Sequence, residues 1–135
     1  MNTAYRVWDG EGRMYYWNDL GMSLEIIGEK WILWHSWGDG SRAKVVESDD
    51  EGAALMWGTG FFEYGVIYQA DIIKGEREST WHPGYDKVLG KVEFSKDTHG
   101  FYIEGMGAGP LYRIEPDFEI IGNVFENPEL LEGAE

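Results

Sequence analysis

"KVLGKVEFSKDTHGFYIEG", residues 87–105, is the stretch whose reading decides the fold. In its first eight positions Val88, Val92 and Phe94 fall on one side of an extended chain, with Leu89, Lys91 and Glu93 on the other, which is the two-residue period of a strand. After the polar loop SKDTHG the alternation returns with Phe101 and Ile103, so the stretch reads as two antiparallel strands. "GMGAGP" follows, and its glycines and final proline cannot prolong a central strand. "LYRIE" (111–115) then reads as the third strand of a meander.

The same grammar extends in both directions. "AYRVW" and "RMYYW" flank "DGEG", predicting a hairpin of residues 4–8 and 13–17 whose glycines supply the left-handed turn. Toward the C-terminus Phe118, Ile120 and Val124 alternate with Glu119, Ile121 and Asn123. Gly122 stands where a side chain would otherwise be, which predicts a bulge or a close backbone approach. A short helix follows: Asn127 is placed to cap it, Pro128 suits its first position, Glu129 favours its dipole, and Gly133 ends it. Leu130 and Leu131 give that helix an apolar side, so the tail reads as a clasp laid on a sheet. In the middle, "EKWILWHSWGDG" sets Trp31, Leu33 and Trp37 on one face of a strand and Ile32 and Trp34 on the other. A strand apolar on both faces is buried twice or lies in an oligomer interface, and Trp31, Trp34 and Trp37 are the candidate interface residues. Ala53, Ala54, Leu55 and Met56 are helix formers, which predicts about one helical turn before Gly58.

Composition bounds the function. The 135 residues fit one domain, residues 1–135, with a core rich in rings, since there are 7 Trp, 8 Tyr and 6 Phe. There is no Cys, which removes disulfides, thiolate nucleophiles and Cys-based zinc sites. No apolar run approaches the length of a membrane span, and the first twenty residues lack the layout of a signal peptide, so the expected setting is the cytosol with no membrane partner. A net charge of −14, from 25 acidic against 11 basic residues, opposes direct nucleic-acid binding. The acid is uneven: "ESDDE" (47–51) holds four carboxylates, and beyond Arg113 there are seven acids and no base. Such runs are solvated faces or surfaces for a basic protein partner.

Four segments, in chain order, resemble the YopX-like proteins of phages and prophages. "YRVWDGEGRMYY" carries Trp8, Asp9 and Met14; "LMWGTG" carries Thr59 and Gly60; "IYQADIIK" carries Tyr68, Asp71 and Ile72; and "EIIGNVFENPELL" carries Gly122, Asn123, Glu126, Asn127, Pro128 and Leu130. Ala70 stands where the family has glycine, and the usual basic, Gly-containing turn before it is missing. The resemblance implies a mainly β fold, a small SH3-like barrel or antiparallel meander with short helices including one at the C-terminus, and a homo-oligomer. It brings no cofactor, metal or catalytic residue.

The residues themselves agree with that silence. His35, His82 and His99 are scattered, with no metal-ligand spacing between them, and His82 and His99 read as loop positions. No nucleophile elbow or phosphate loop occurs. "DGEG" and "GDGSR" resemble calcium loops but lack the alternating ligands and distal Glu, so they read as turns. Trp31, Trp34, Trp37, Trp57 and Trp81 form either a stacking platform or, by the simpler reading, core and subunit contacts. The expected function is a non-enzymatic oligomeric binding module whose acidic surface recognises a host or phage protein. The alternatives are a hydrolase with paired carboxylates about 5–10 Å apart and an acidic DNA mimic.

Overall fold

The computed structural model describes residues 4–59, 65–95, 100–115 and 117–132. The chain forms two compact units, Met1–Gly60 and Phe61–Glu135. Both are built from antiparallel strands, and α1, Glu129–Glu132, is the one α-helix among the described residues.

The first unit holds two three-stranded sheets. In one, β1 (Tyr5–Trp8) lies between β2 (Met14–Tyr16) and β6 (Ala54–Trp57). The β1–β2 hairpin is the one expected, with Trp8 opposite Met14 and Arg6 opposite Tyr16. The helical turn expected over Ala53–Met56 is instead strand β6, with Met56 opposite Arg6 and Leu55 opposite Val7. A single helical turn there would forgo the four-pair ladder that β1 offers. The second sheet has the order β3 (Met22–Ile27), β4 (Lys30–Ser36), β5 (Arg42–Glu47). Val7, Leu33 and Val46 form the core of the unit, each at most 2% exposed, with Tyr5, Tyr15, Met22, Trp31 and Leu55 packed around them. Burying a Val or Leu side chain stabilises by about 1.5–3 kcal/mol, so this trio is the principal local driving force.

The second unit is one five-stranded sheet in the order β10-β9-β8-β7-β11. Here β7 is Asp71–Glu78, β8 Tyr85–Ser95, β9 Gly100–Met106, β10 Gly109–Pro110 and β11 Glu119–Asn123. Val88 and Val92 point into a core with Ile67, Ile73, Ile103 and Leu111, as their alternation requires. Phe94, expected beside them, is near the end of the row, paired with Phe101 but 39% exposed, the two rings edge-on at 5.5 Å. The strand expected at 111–115 is not one: β10 is only Gly109–Pro110, and Leu111–Arg113 is a 3-10 turn. Pro110 has φ −59° and no N–H to continue a ladder, and the turn that follows drops Leu111 into the core at 1% exposure. Ile114 keeps one bridge, to Arg77.

Mainly β structure in antiparallel meanders with short helices is thus what forms. Among the described strands none of the three sheets closes on itself, each having two free edges.

Candidate functional site

Two acidic turns of the first unit come together. In the turn joining β1 to β2, Asp9 Oδ1 accepts the N–H groups of Glu11 (2.7 Å) and Arg13 (3.0 Å), and Asp9 N–H donates to Arg13 O at 3.1 Å. An Asp at the start of a tight turn commonly does this, because its carboxylate replaces the backbone acceptor. In the turn joining β5 to β6, Asp50 Oδ2 accepts the N–H of Glu47 at 3.0 Å, and Ala53 N–H donates to Asp50 O at 3.2 Å. Gly10 and Gly52 are the contact between the turns. A Cβ on Gly52 would lie 3.2 Å from Gly10 Cα, and one on Gly10 would strike the Glu51 carbonyl. Both have left-handed backbone, φ 82° and 77°, so any side chain at either position would be strained as well as obstructed.

The result is a concavity of ≈290 Å³ lined by Asp9, Glu11, Val45, Val46, Asp50 and Glu51. Neighbouring cations compensate only its flank: Lys44 reaches Glu47 at 3.0 Å and Lys30 reaches Asp49 at 3.2 Å, both exposed. The carboxylates of Glu11 and Glu51 have no partner among the described residues. Desolvation pushes the Asp9 carboxyl up, but the N–H groups of Arg13, Glu11 and Gly12 outweigh it and hold the group below its ordinary range. That direction suits a permanent anion and is the wrong one for the general acid of a hydrolase.

The three tryptophans expected to share an interface are separated by the pleat. Trp31 joins the core side with Leu33. Trp34 is on the opposite face, its Nε1–H donating to Glu25 Oε1 at 3.2 Å and the Arg42 guanidinium stacked 3.9 Å above its ring. Trp37 lies past the end of β4, half exposed and edge-on to His35 at 4.6 Å. Trp57 meets Tyr5 edge-on at 6.3 Å, and Trp81 stands at the β7–β8 connection with 88% of its surface exposed. Within the first unit, Trp31 and Trp34 thus occupy opposite faces of β4, with Trp37 beyond its end and Trp57 on β6. His35 and His82 are apart from any carboxylate cluster fit for a metal, and no such cluster occurs among the described residues. His99 and Gly60 are outside them. "DGEG" and "GDGSR" are turns as expected, Asp39 Oδ1 accepting the N–H and hydroxyl of Ser41 at 2.9 and 2.6 Å.

Gly122, Asn123, Glu126, Asn127, Pro128 and Leu130 build a C-terminal knot. The pairing of β11 with β7 slips between Ile120 and Gly122, the expected bulge. A Cβ on Gly122 would lie 2.8 Å from Asn127 Cγ and 2.9 Å from Leu130 Cδ1, so the expected close approach is also present. Asn123, 6% exposed, accepts the N–H groups of Phe125 (3.1 Å) and Glu126 (2.9 Å) on Oδ1 and donates from Nδ2 to Glu126 Oε1 at 2.8 Å. Asn127 Oδ1 turns back to accept the Asn123 N–H at 3.2 Å, so it ties the strand rather than capping α1. The helix begins with Leu130 N–H donating to the Asn127 carbonyl at 3.1 Å. Pro128 enters this turn, and Gly133 is outside the described residues.

At the start of β7, buried Asp71 accepts the Tyr68 N–H on Oδ2 at 2.8 Å, and Ile72 is fully buried. Just before Asp71, Ala70 has φ 72°. The Thr59 Oγ1 is buried without a hydrogen-bond partner among the described residues.

The family model described as "YopX protein" matches residues 4–132. The chain belongs to the YopX family. It is 38% identical over 143 residues to the SPbeta prophage-derived uncharacterized protein YopX of Bacillus subtilis (strain 168), covering 99% of both chains. The crystal structure of yopX from Bacillus subtilis is similar over 97% of this chain and 99% of that one, with a TM-score of 0.74 and 36% identity. Within the YopX fold, the acidic concavity was hidden in the sequence because its halves lie about forty positions apart. The signal available was the pair Gly10 and Gly52, each inside an acidic turn.

Proposed function

We propose that residues 1–135 act as one domain, a non-enzymatic phage or prophage accessory protein working in the host cytosol as a self-associating binding module. Its acidic concavity recognises a basic surface on a host or phage protein. One observation carries this reading: Gly10 seated on Gly52 gathers Asp9, Glu11, Asp50 and Glu51 at one place, with Glu11 and Glu51 uncompensated. Carboxylates gathered on rigid turns sum their fields to attract a cationic partner, and that long-range attraction is screened by salt.

The test compares the protein with the Glu11→Lys/Glu51→Lys variant as baits for identified basic proteins from infected-cell lysate. The expected result is specific capture by the parent, weakened at least tenfold in the variant and by raising salt from about 0.1 to 0.5 M, where the screening length shortens more than twofold. Capture that is indifferent to both changes would refute the role of the concavity. Release of the captured protein by added duplex DNA would place the module among DNA mimics.

A further inference from the structure

A free strand edge is a template for pairing, and proteins blunt such edges with short length, proline, charge or bulges. Five of the six edges among the described sheets are blunted. Strands β2, β6 and β10 have three, four and two residues, the last ending in Pro110. Along β5, Arg42 and Lys44 project from the strand and its register slips at Leu33/Trp34. On β11 the slip is at Gly122. The sixth, β3, runs six residues, Met22–Ile27, in regular pairing with β4 and without proline. Its one charge, Glu25, is tied across the sheet to Trp34 at 3.2 Å. Ile26 and Ile27 are 55% and 57% exposed.

We infer that β3 is the seam on which two copies of this chain meet, pairing antiparallel about a two-fold axis into a continuous six-stranded sheet. The inference rests on the self-association in the proposed function and names its surface. Parity fixes which groups are available. Ile27 opposite Lys30 closes a two-residue turn, and Ser36 N–H donates to Gly21 O at 2.8 Å, so odd-numbered residues bond toward β4 and Met22, Leu24 and Ile26 face outward. The Met22 N–H is taken by Asp19 O at 3.2 Å, leaving its carbonyl to accept.

A two-fold normal to the sheet pairs residues of one face only, which leaves few registers. With Leu24 opposite Leu24, the two Leu24 residues exchange both hydrogen bonds and each Ile26 N–H meets the partner's Met22 carbonyl. Ile26 then covers the partner's Met22, while Glu25 stands opposite Ser23. Sliding the partner one way sets Glu25 against Glu25, a direct repulsion in a chain of net charge −14. Sliding it the other way leaves Ile26 beyond the partner's strand, which starts at Met22. A second copy is therefore the occupant that uses the free groups of this edge, the Met22 carbonyl, both groups of Leu24 and the Ile26 N–H; the Ile26 carbonyl alone faces a donor, the partner's Met22 N–H, that is already engaged.

The chain has no cysteine, so an introduced one reports contact between copies directly. Leu24→Cys places two thiols across the axis with Cα atoms about 5.5 Å apart, within disulfide range, whereas Ser23→Cys residues would be more than about 7 Å apart and out of reach. The expected result on mild oxidation is covalent dimer from Leu24→Cys and none above background from Ser23→Cys. Ile26→Lys should halve the mass found by sedimentation equilibrium while the unfolding midpoint of the monomer is retained. An oligomer whose Leu24→Cys fails to cross-link, or cross-links no better than Ser23→Cys, overturns the β3 seam but leaves self-association standing. A monomer at all concentrations overturns both. If Ile26→Lys does not fold, the cross-linking pair decides alone.

Discussion

Replacing Asn123 by Ala should cost this protein about 3 kcal/mol. The side chain is 94% buried and makes three hydrogen bonds, two accepted by Oδ1 from Phe125 and Glu126 and one donated to the Glu126 carboxylate. Each neutral bond contributes about 1 kcal/mol net, and the donor to a carboxylate would add about 1.5–3 were Glu126 not exposed, so its share is nearer 1. Removing the amide also leaves two backbone N–H groups without this acceptor in a part-buried turn, which pushes the loss upward. For a chain of this length about 3 kcal/mol corresponds to a fall in Tm of roughly 8–15 °C. The ceiling is the free energy of peeling the tail away locally, since a broken knot can release β11 and α1 before the rest unfolds. Urea unfolding followed by tryptophan fluorescence measures the loss as a shift in midpoint at constant slope. Glu126→Gln, which keeps an acceptor, should cost about 1 kcal/mol or less. A loss below about 1 kcal/mol for Asn123→Ala with unchanged slope would refute the view that this knot fastens the C-terminus.

Two further outcomes follow from local geometry. Ala70 has φ 72°, held by its N–H to Val92 O at 2.8 Å and by Val124 N–H to its carbonyl at 2.9 Å. Ala70→Gly should therefore raise stability by about 0.5–1 kcal/mol and Ala70→Val lower it by about 2 or more, both read by denaturant unfolding; an Ala70→Gly variant less stable than the parent would contradict the strain. His82 is the second case. Its Nδ1 lies 2.9 Å from Pro83 O and its Nε2 3.1 Å from Asp86 Oδ1, so both nitrogens must donate. The Pro83 carbonyl, then Asp86, thus raise its pKa above the ordinary 6.5. A raised pKa stabilises the loop fully below about 6.5 and loses that support as pH rises through the folded value. An NMR titration of the His82 ring should show a midpoint above 6.5 that falls in Asp86→Asn, and a midpoint at or below 6.5 in the parent would refute the two-donor arrangement.

Residue pattern alone determined the strand-rich class, both hairpins, the bulge at Gly122 and the docking of the tail, because these depend on the side-chain period and on backbone freedom at single positions. It misassigned Ala53–Met56 and residues 111–115. In both cases a partner distant in sequence decided the outcome, β1 for the first and the buried seat of Leu111 for the second. Asn127 was expected to cap the helix and instead accepts the Asn123 N–H, which depends on Gly122 being small enough to let it fold back. The acidic concavity and the separation of Trp31, Trp34 and Trp37 were beyond the sequence for the same reason. Charge and ring content are countable along a chain, but which turns touch and which face of a strand each ring occupies are set by pairing register, and register is fixed only when whole sheets form.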